Sequence, residues 1–192
     1  MPSERIDYSE VERILENNLK DEFYKLDGIP GHRLDKASFA EVQAAVAEGG
    51  VEGIGKMARR PEQSVEYYAF RRKMLKQYRS MADLVQISKL QYPSEKGQDG
   101  RLQAVLTPES KAEQRTYWLE NDFGYSLEDG LEHHLLWSTQ PLSESRMTQL
   151  IDENRKGYEY VKFVNPEVLM SIPGVWHAHV MSRPLLSPQG TS

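Results

Sequence analysis

The hydrophobic pattern of the chain changes period once, from helical to strand-like, and that change does most to limit the folds open to it. Up to about residue 92 apolar side chains recur every three or four positions; from about residue 102 they alternate. In the first half, Ser9-x-x-Glu12 reads as a capping box at the head of a helix carrying Val11, Ile14, Leu15, Leu19 and Phe23, and Asp27-Gly28-Ile29-Pro30-Gly31 closes it. Ser38-x-x-Glu41 opens a second helix with Phe39, Val42, Ala45 and Val46, stopped by Gly49-Gly50. Pro61 suits the first turn of a third helix, expected to run to about Arg79, and Ser80-x-x-Asp83 opens a fourth with Leu84, Val85, Ile87 and Leu90. Strands are expected at roughly 102–106, 117–121, 133–139, 158–164 and 176–182, interrupted by a helix at roughly 145–155. Helices first and strands after predict an α+β fold, a helical N-terminal half packed on an antiparallel sheet.

The polar stretch 93–101 is expected to be a loop between a helical region (1–92) and a sheet region (102–184), with 185–192 as a disordered tail. The length of 192 residues suits one compact domain. A mean hydropathy of -0.66, the lack of an 18-residue apolar run and a polar start at Met1 to Asp7 predict neither a membrane span nor a secretory signal. The absence of cysteine excludes disulfides, thiol catalysis and thiolate metal sites, and makes the cytoplasm the expected compartment.

A net charge of -5 argues against a protein that coats nucleic acid generally. The charge is uneven, however: residues 51–101 hold 11 basic against 6 acidic side chains, between two acidic flanks. Lys56, Arg59, Arg60, Arg71, Arg72, Lys73, Lys76 and Arg79 carry most of that excess. Arg72, Lys76 and Arg79, spaced by four and three, would share one helix face. Such a row is either a solvated face or a ridge that tracks phosphates.

Two stretches carry candidate chemistry. His177 and His179 lie two apart in a strand pattern and so share a face, with Trp176, Ala178 and Val180 on the other. They are either satisfied core histidines or a nucleophile with its orienting partner. Upstream, Asn121-Asp122 closes a strand at a turn, and His133, Leu135 and Trp137 alternate on one face of the next strand. Ser171, just before Ile172-Pro173-Gly174, reads as a turn serine or as a nucleophile lacking a hydrolase elbow. His177-x-His179 alone is too weak a signature for a metal site, and Gly53-Ile54-Gly55-Lys56 lacks the spacing of a phosphate loop.

Taken together, Asn121-Asp122-Phe123-Gly124-Tyr125, the segment 130–137 with His133-His134, Phe163-Val164-Asn165-Pro166 and the segment 171–179 resemble a fungal family, the N-acetylglucosamine-induced protein family. The likeness also takes in 38–46 and 60–78, and so spans roughly 32–183. Some members of that family are arginine-containing cyclodipeptide synthases. The resemblance therefore implies an aminoacyl-tRNA-dependent transferase that joins arginine from arginyl-tRNA with a second aminoacyl group into a diketopiperazine, with no cofactor, metal or membrane partner. It implies catalytic roles for His177, His179, Asn121 and Ser171. Asp122 and Glu132, with Glu120 behind them, are the carboxylates for the guanidinium; His133, Asn165 and Trp137 complete the substrate site, and the basic residues named above hold tRNA. A more distant likeness is to the histidine-triad fold, with His177 at the attacking position and Val175 where a further histidine is usual. The alternatives are a histidine-triad-like nucleotide hydrolase or transferase, and a non-catalytic binding protein in sugar or stress signalling.

Overall fold

Among the described residues six strands form two antiparallel sheets. In the computed structural model, which describes Arg13 and residues 31–185, β1 (Ser94–Lys96) and β2 (Leu102–Ala104) make a small hairpin. The main sheet holds β3 (Thr116–Glu120), β4 (Glu132–Ser138), β5 (Tyr158–Phe163) and β6 (Trp176–Pro184) in the order β3-β4-β6-β5. The helix expected from Ser9 to Phe23 and the tail from 186 onward fall outside the described residues.

Six α-helices surround these strands among the described residues: α1 (Phe39–Glu48), α2 (Gly50–Ile54), α3 (Pro61–Met74), α4 (Met81–Ser88), α5 (Pro108–Ala112) and α6 (Glu144–Asn154). The fold is α+β. Local chemistry sets the helix starts. Ser38 Oγ accepts from the Glu41 N–H while the Glu41 carboxylate accepts from the Ser38 N–H, a reciprocal cap on α1. Ser80 and Ser143 cap α4 and α6 through the hydroxyl oxygen alone, accepting from Asp83 N–H and Arg146 N–H. Gly49, at φ +67°, ends α1 in a conformation a side chain would strain.

Two expectations are corrected. α3 stops at Met74 rather than near Arg79, because the chain turns there and Tyr78 bridges to Leu102. The stretch 93–101 is not only a loop: it holds β1 and the tight turn into β2, closed by Gly97 N–H donating to Arg101 O at 2.8 Å.

Alternation divides the main sheet into two faces. One presents Leu136, Ala178 and Val180 to Met147, Leu150 and Ile151 of α6, an apolar layer. The other meets the N-terminal helices. At one end Phe163 and Met181 pack on Phe39 and Val42 of α1, and at the other Leu135 and Trp137 pack on Val85 of α4. Between these two apolar clusters lie the histidines.

Candidate active site

The register of β4 on β6 pairs Trp137 with His177, Leu135 with His179 and His133 with Met181, so all six side chains share the face turned to α3 and α4. A cleft of about 400 Å³ opens there, and His177, His179, Asn121, Asp122, Ser171 and Trp137 line it. The turn after β3 brings Asn121 and Asp122 in: Asn121 N–H donates to His133 O at 2.8 Å and ties the turn to β4.

His177 is held by its own strand. Its Nδ1 lies 2.9 Å from Val175 O, so Nδ1–H donates and Nε2 keeps a lone pair. Nε2 has no hydrogen-bond partner among the described residues. Burial lowers the pKa of this imidazole, with the Val175 hydrogen bond opposing, so it is neutral at pH 7. The Trp137 ring lies 4.3 Å away, centroid to centroid. A neutral imidazole with a fixed tautomer and a free Nε2 in a cleft can act as a base or as a nucleophile.

His179 is tied into a buried chain of hydrogen bonds. Tyr125 N–H donates to His133 Nδ1 at 3.2 Å, which places the His133 proton on Nε2. That proton is shared with His179 Nδ1 at 2.9 Å, leaving the His179 proton on Nε2, 3.1 Å from the Asn165 amide. The tautomers then require Asn165 to turn its amide oxygen toward His179, the atom of that amide otherwise without a buried partner. Gly124 lets the chain approach closely, since a Cβ there would stand 3.1 Å from His133 Nδ1. Burial first, and then the Arg59 charge, pushes His133 down to about 3; burial likewise carries His179 well below the ordinary value.

Arg59 is a cation of the site. Its Nε–H donates to Phe123 O at 2.9 Å, its guanidinium lies over the Tyr67 ring at 4.7 Å, and no carboxylate pairs with it among the described residues. The sequence pattern groups it with the basic row; its place in the cleft comes from the parallel bridge between His32 and Arg59. Nothing in the sequence singled out His32. It is 5% exposed, without a partner for either ring nitrogen, and lines a second cavity of about 30 Å³ behind His179 with Asn165 and Ser171. Burial, then Arg59, lowers its pKa to about 4.

Not every expected residue gathers here. His133 and Asn165 stand behind the cleft, reaching it through His179. Glu132 is on the opposite face of β4, where it pairs with Arg155; Glu120 also sits on that face, opposite His134. The same two-residue alternation that joins His133 to Trp137 sends Glu132 away, a signal already present in the sequence. Of the basic row, Arg72, Lys73, Lys76 and Arg79 are exposed, Lys56 pairs with Glu48, Arg60 contacts Glu62, and Arg71 is half-buried beside the Tyr68 ring. Because α3 ends at Met74, Lys76 and Arg79 do not continue its face. Among the described residues no set of three His, Asp or Glu side chains is arranged to hold a metal, and no helix is long and apolar enough to cross a membrane.

Comparison with known proteins agrees with this architecture. The model of a family described as protein of unknown function, DUF3605, matches residues 38–183. The crystal structure of a protein called HTC1 superposes with a TM-score of 0.53 at 18% sequence identity, covering 78% of this chain and 85% of that one, a likeness of fold. No curated protein matches the chain.

Proposed function

The chain belongs to the DUF3605 family, and from that premise we propose that it is a cytoplasmic, tRNA-dependent cyclodipeptide synthase that uses arginyl-tRNA and a second aminoacyl-tRNA. Two things support the reading: the resemblance to the N-acetylglucosamine-induced proteins, and one geometric observation. That observation is His177, neutral, locked through Nδ1 to Val175 O, with Nε2 free in the cleft.

The substrates are activated esters, so the site needs only to hold two of them, move a proton and stabilise an oxyanion. The α-amine of the second aminoacyl group attacks the arginyl ester carbonyl. Nε2 of His177 takes the amine proton and returns it to the departing 3′-hydroxyl of the first tRNA. The freed arginine α-amine then attacks the remaining ester, the same nitrogen again relays the proton, and ring closure expels the second tRNA. Arg59 faces the cleft as the donor for the developing oxyanion. His179, His133 and Asn165 position the sheet end around His177. Asp122, exposed at the rim, is the carboxylate for the guanidinium fork, and the exposed Arg72, Lys73, Lys76 and Arg79 attract the tRNA body.

The test is a reaction of the pure protein with arginyl-tRNA and a mixture of charged tRNAs, read by mass spectrometry. Arginine-containing cyclic dipeptides are expected from the wild type and not from His177→Ala. Their absence with fully charged tRNAs would sink the proposal. The same free Nε2 also suits attack on phosphorus in a histidine-triad-like enzyme; hydrolysis of nucleoside phosphoramidates without tRNA would favour that reading.

A further inference from the structure

We infer that the inner wall of this cleft is the pocket for the side chain of the second aminoacyl substrate, and that it selects a large apolar side chain of the leucine or phenylalanine kind; this rests on the synthase reading above. The wall is built from two directions. Met81, Leu84 and Val85 come from α4, while Leu119, Leu135 and Ile172 come from β3, β4 and the loop before β6. Val85 and Leu135 belong to one buried apolar cluster, against which Leu119 and Ile172 pack.

The reacting atom lies against this wall. His177 touches Trp137 of the same cluster at 4.3 Å between ring centroids, so a side chain on the carbon that bears the attacking α-amine extends over apolar surface. The charged groups that line the cleft are Arg59, Lys89 and Asp122, and Asp122 is exposed. An arginyl side chain has one carboxylate to meet, at the rim. A lysyl side chain pushed inward would lose its water with no opposite charge on the wall, and a glutamyl or aspartyl one would meet only Arg59, already engaged by Phe123 O and the Tyr67 ring, and Lys89, which lies over the Tyr117 ring. Met74 and Met81 also line the cleft, and their flexible thioethers let it accept more than one large apolar shape. A small side chain would leave the wall unfilled and bind weakly. The division is therefore chemical: one carboxylate at the rim for the guanidinium and an apolar interior for its partner.

Amino acid amides probe the interior without reacting, because they keep the α-amine and carbonyl but lack an ester. Titrate the intact protein with the amides of phenylalanine, leucine, alanine, glutamate and lysine, following tryptophan fluorescence, since Trp137 lines the cleft. The phenylalanine and leucine amides should bind about tenfold or more tightly than the alanine amide, and the charged amides no better than alanine. Leu84→Asp, on the half-buried side of α4, should remove that preference and favour the lysine amide. Ser88→Trp, at an exposed position on the cleft rim, should weaken phenylalanine amide about tenfold without touching the core, so it reports even if Leu84→Asp unfolds. Equal affinities, no binding by any amide, tighter binding of a charged amide, or indifference to Ser88→Trp would overturn the inference. Its failure is separable from that of the synthase reading. Cyclic products pairing arginine with glutamate or glycine keep the synthase and refute the pocket, whereas apolar-selective binding with no product from charged tRNAs keeps the pocket and refutes the synthase.

Discussion

The two faces of the main sheet come from alternate residues of the same strands, yet they do different work. On the face toward α6, Leu136, Ala178 and Val180 meet Leu150 and Ile151, and Ile151 is fully buried. Burial is the role of those side chains. On the other face the neighbours in sequence are His133, His177 and His179, equally buried but polar, and a cleft stands over them. Each imidazole there has its hydrogen bonds supplied by the backbone or by another side chain, save for Nε2 of His177. The difference teaches that burial alone does not mark core from site. What marks the site is a buried polar atom left facing a space.

Breaking each face should therefore break a different property. His177→Ala is expected to lower product formation by about 10²–10⁴-fold, the usual weight of a positioned base, while costing about 1 kcal/mol of stability. Turnover and urea denaturation measured on the same sample decide it; a fold lost together with the activity would make His177 a core residue. Ile151→Ala should do the reverse. It opens a cavity lined by apolar side chains and should cost about 2–5 kcal/mol, lowering Tm by about 2–4 °C per kcal/mol. At a temperature where the variant is still folded, its turnover should match the wild type.

The strands carrying these faces were legible because their alternation is regular and their ends are marked by turn residues such as Asn121 and Gly130. Helix starts were legible because Ser38, Ser80 and Pro61 act locally. Three things were not. β1 is three residues long, with no buried face to impose a pattern. The stop of α3 at Met74 comes from a distant bridge between Tyr78 and Leu102, which no local signal announces. Arg59 belongs by sequence to a basic run but by fold to the cleft, because its neighbour in space is His32. The fate of Glu132 could have been read from strand period alone.

Acid should act on both faces, since burial also lowers the pKa of His134 on the α6 face, but the lowest values lie behind the cleft. His133 titrates at an ordinary 6.5 when unfolded and at about 3 when folded, and His32 at about 4. Between those values the unfolded chain binds the proton and the folded chain does not, so stability is lost as pH falls below 6.5 and is unaffected above it. Each group should contribute about 1.4 kcal/mol per pH unit across its window. Urea midpoints at pH 7, 6 and 5 should show that slope in the wild type and a shallower one in His133→Gln. Ile151→Val, on the apolar face, should shift the whole curve and leave its slope unchanged. Parallel slopes for all three proteins would mean that His133 is protonated in the folded state.

The smallest expected effect sharpens the comparison most, because it concerns two carboxylates that the sequence placed in one role. Asp122 lies at the cleft rim; Glu132 lies on the α6 face beside Arg155, which also donates through Nε to Ser182 Oγ at 2.9 Å and rests 4.0 Å from the Tyr158 ring. Glu132→Gln removes one ion pair from a guanidinium that keeps these other contacts. It should cost about 0.5–1 kcal/mol, a difference reduced by salt, and leave the choice between arginyl- and lysyl-tRNA unchanged. Asp122→Asn should leave stability nearly unchanged, since the residue is exposed, and weaken arginyl use relative to lysyl use by loss of the charge-assisted fork. Competition between the two charged tRNAs reads both variants at once. If Glu132→Gln shifts the preference and Asp122→Asn does not, the guanidinium is held on the α6 face, and the two faces of the sheet have been assigned the wrong way round.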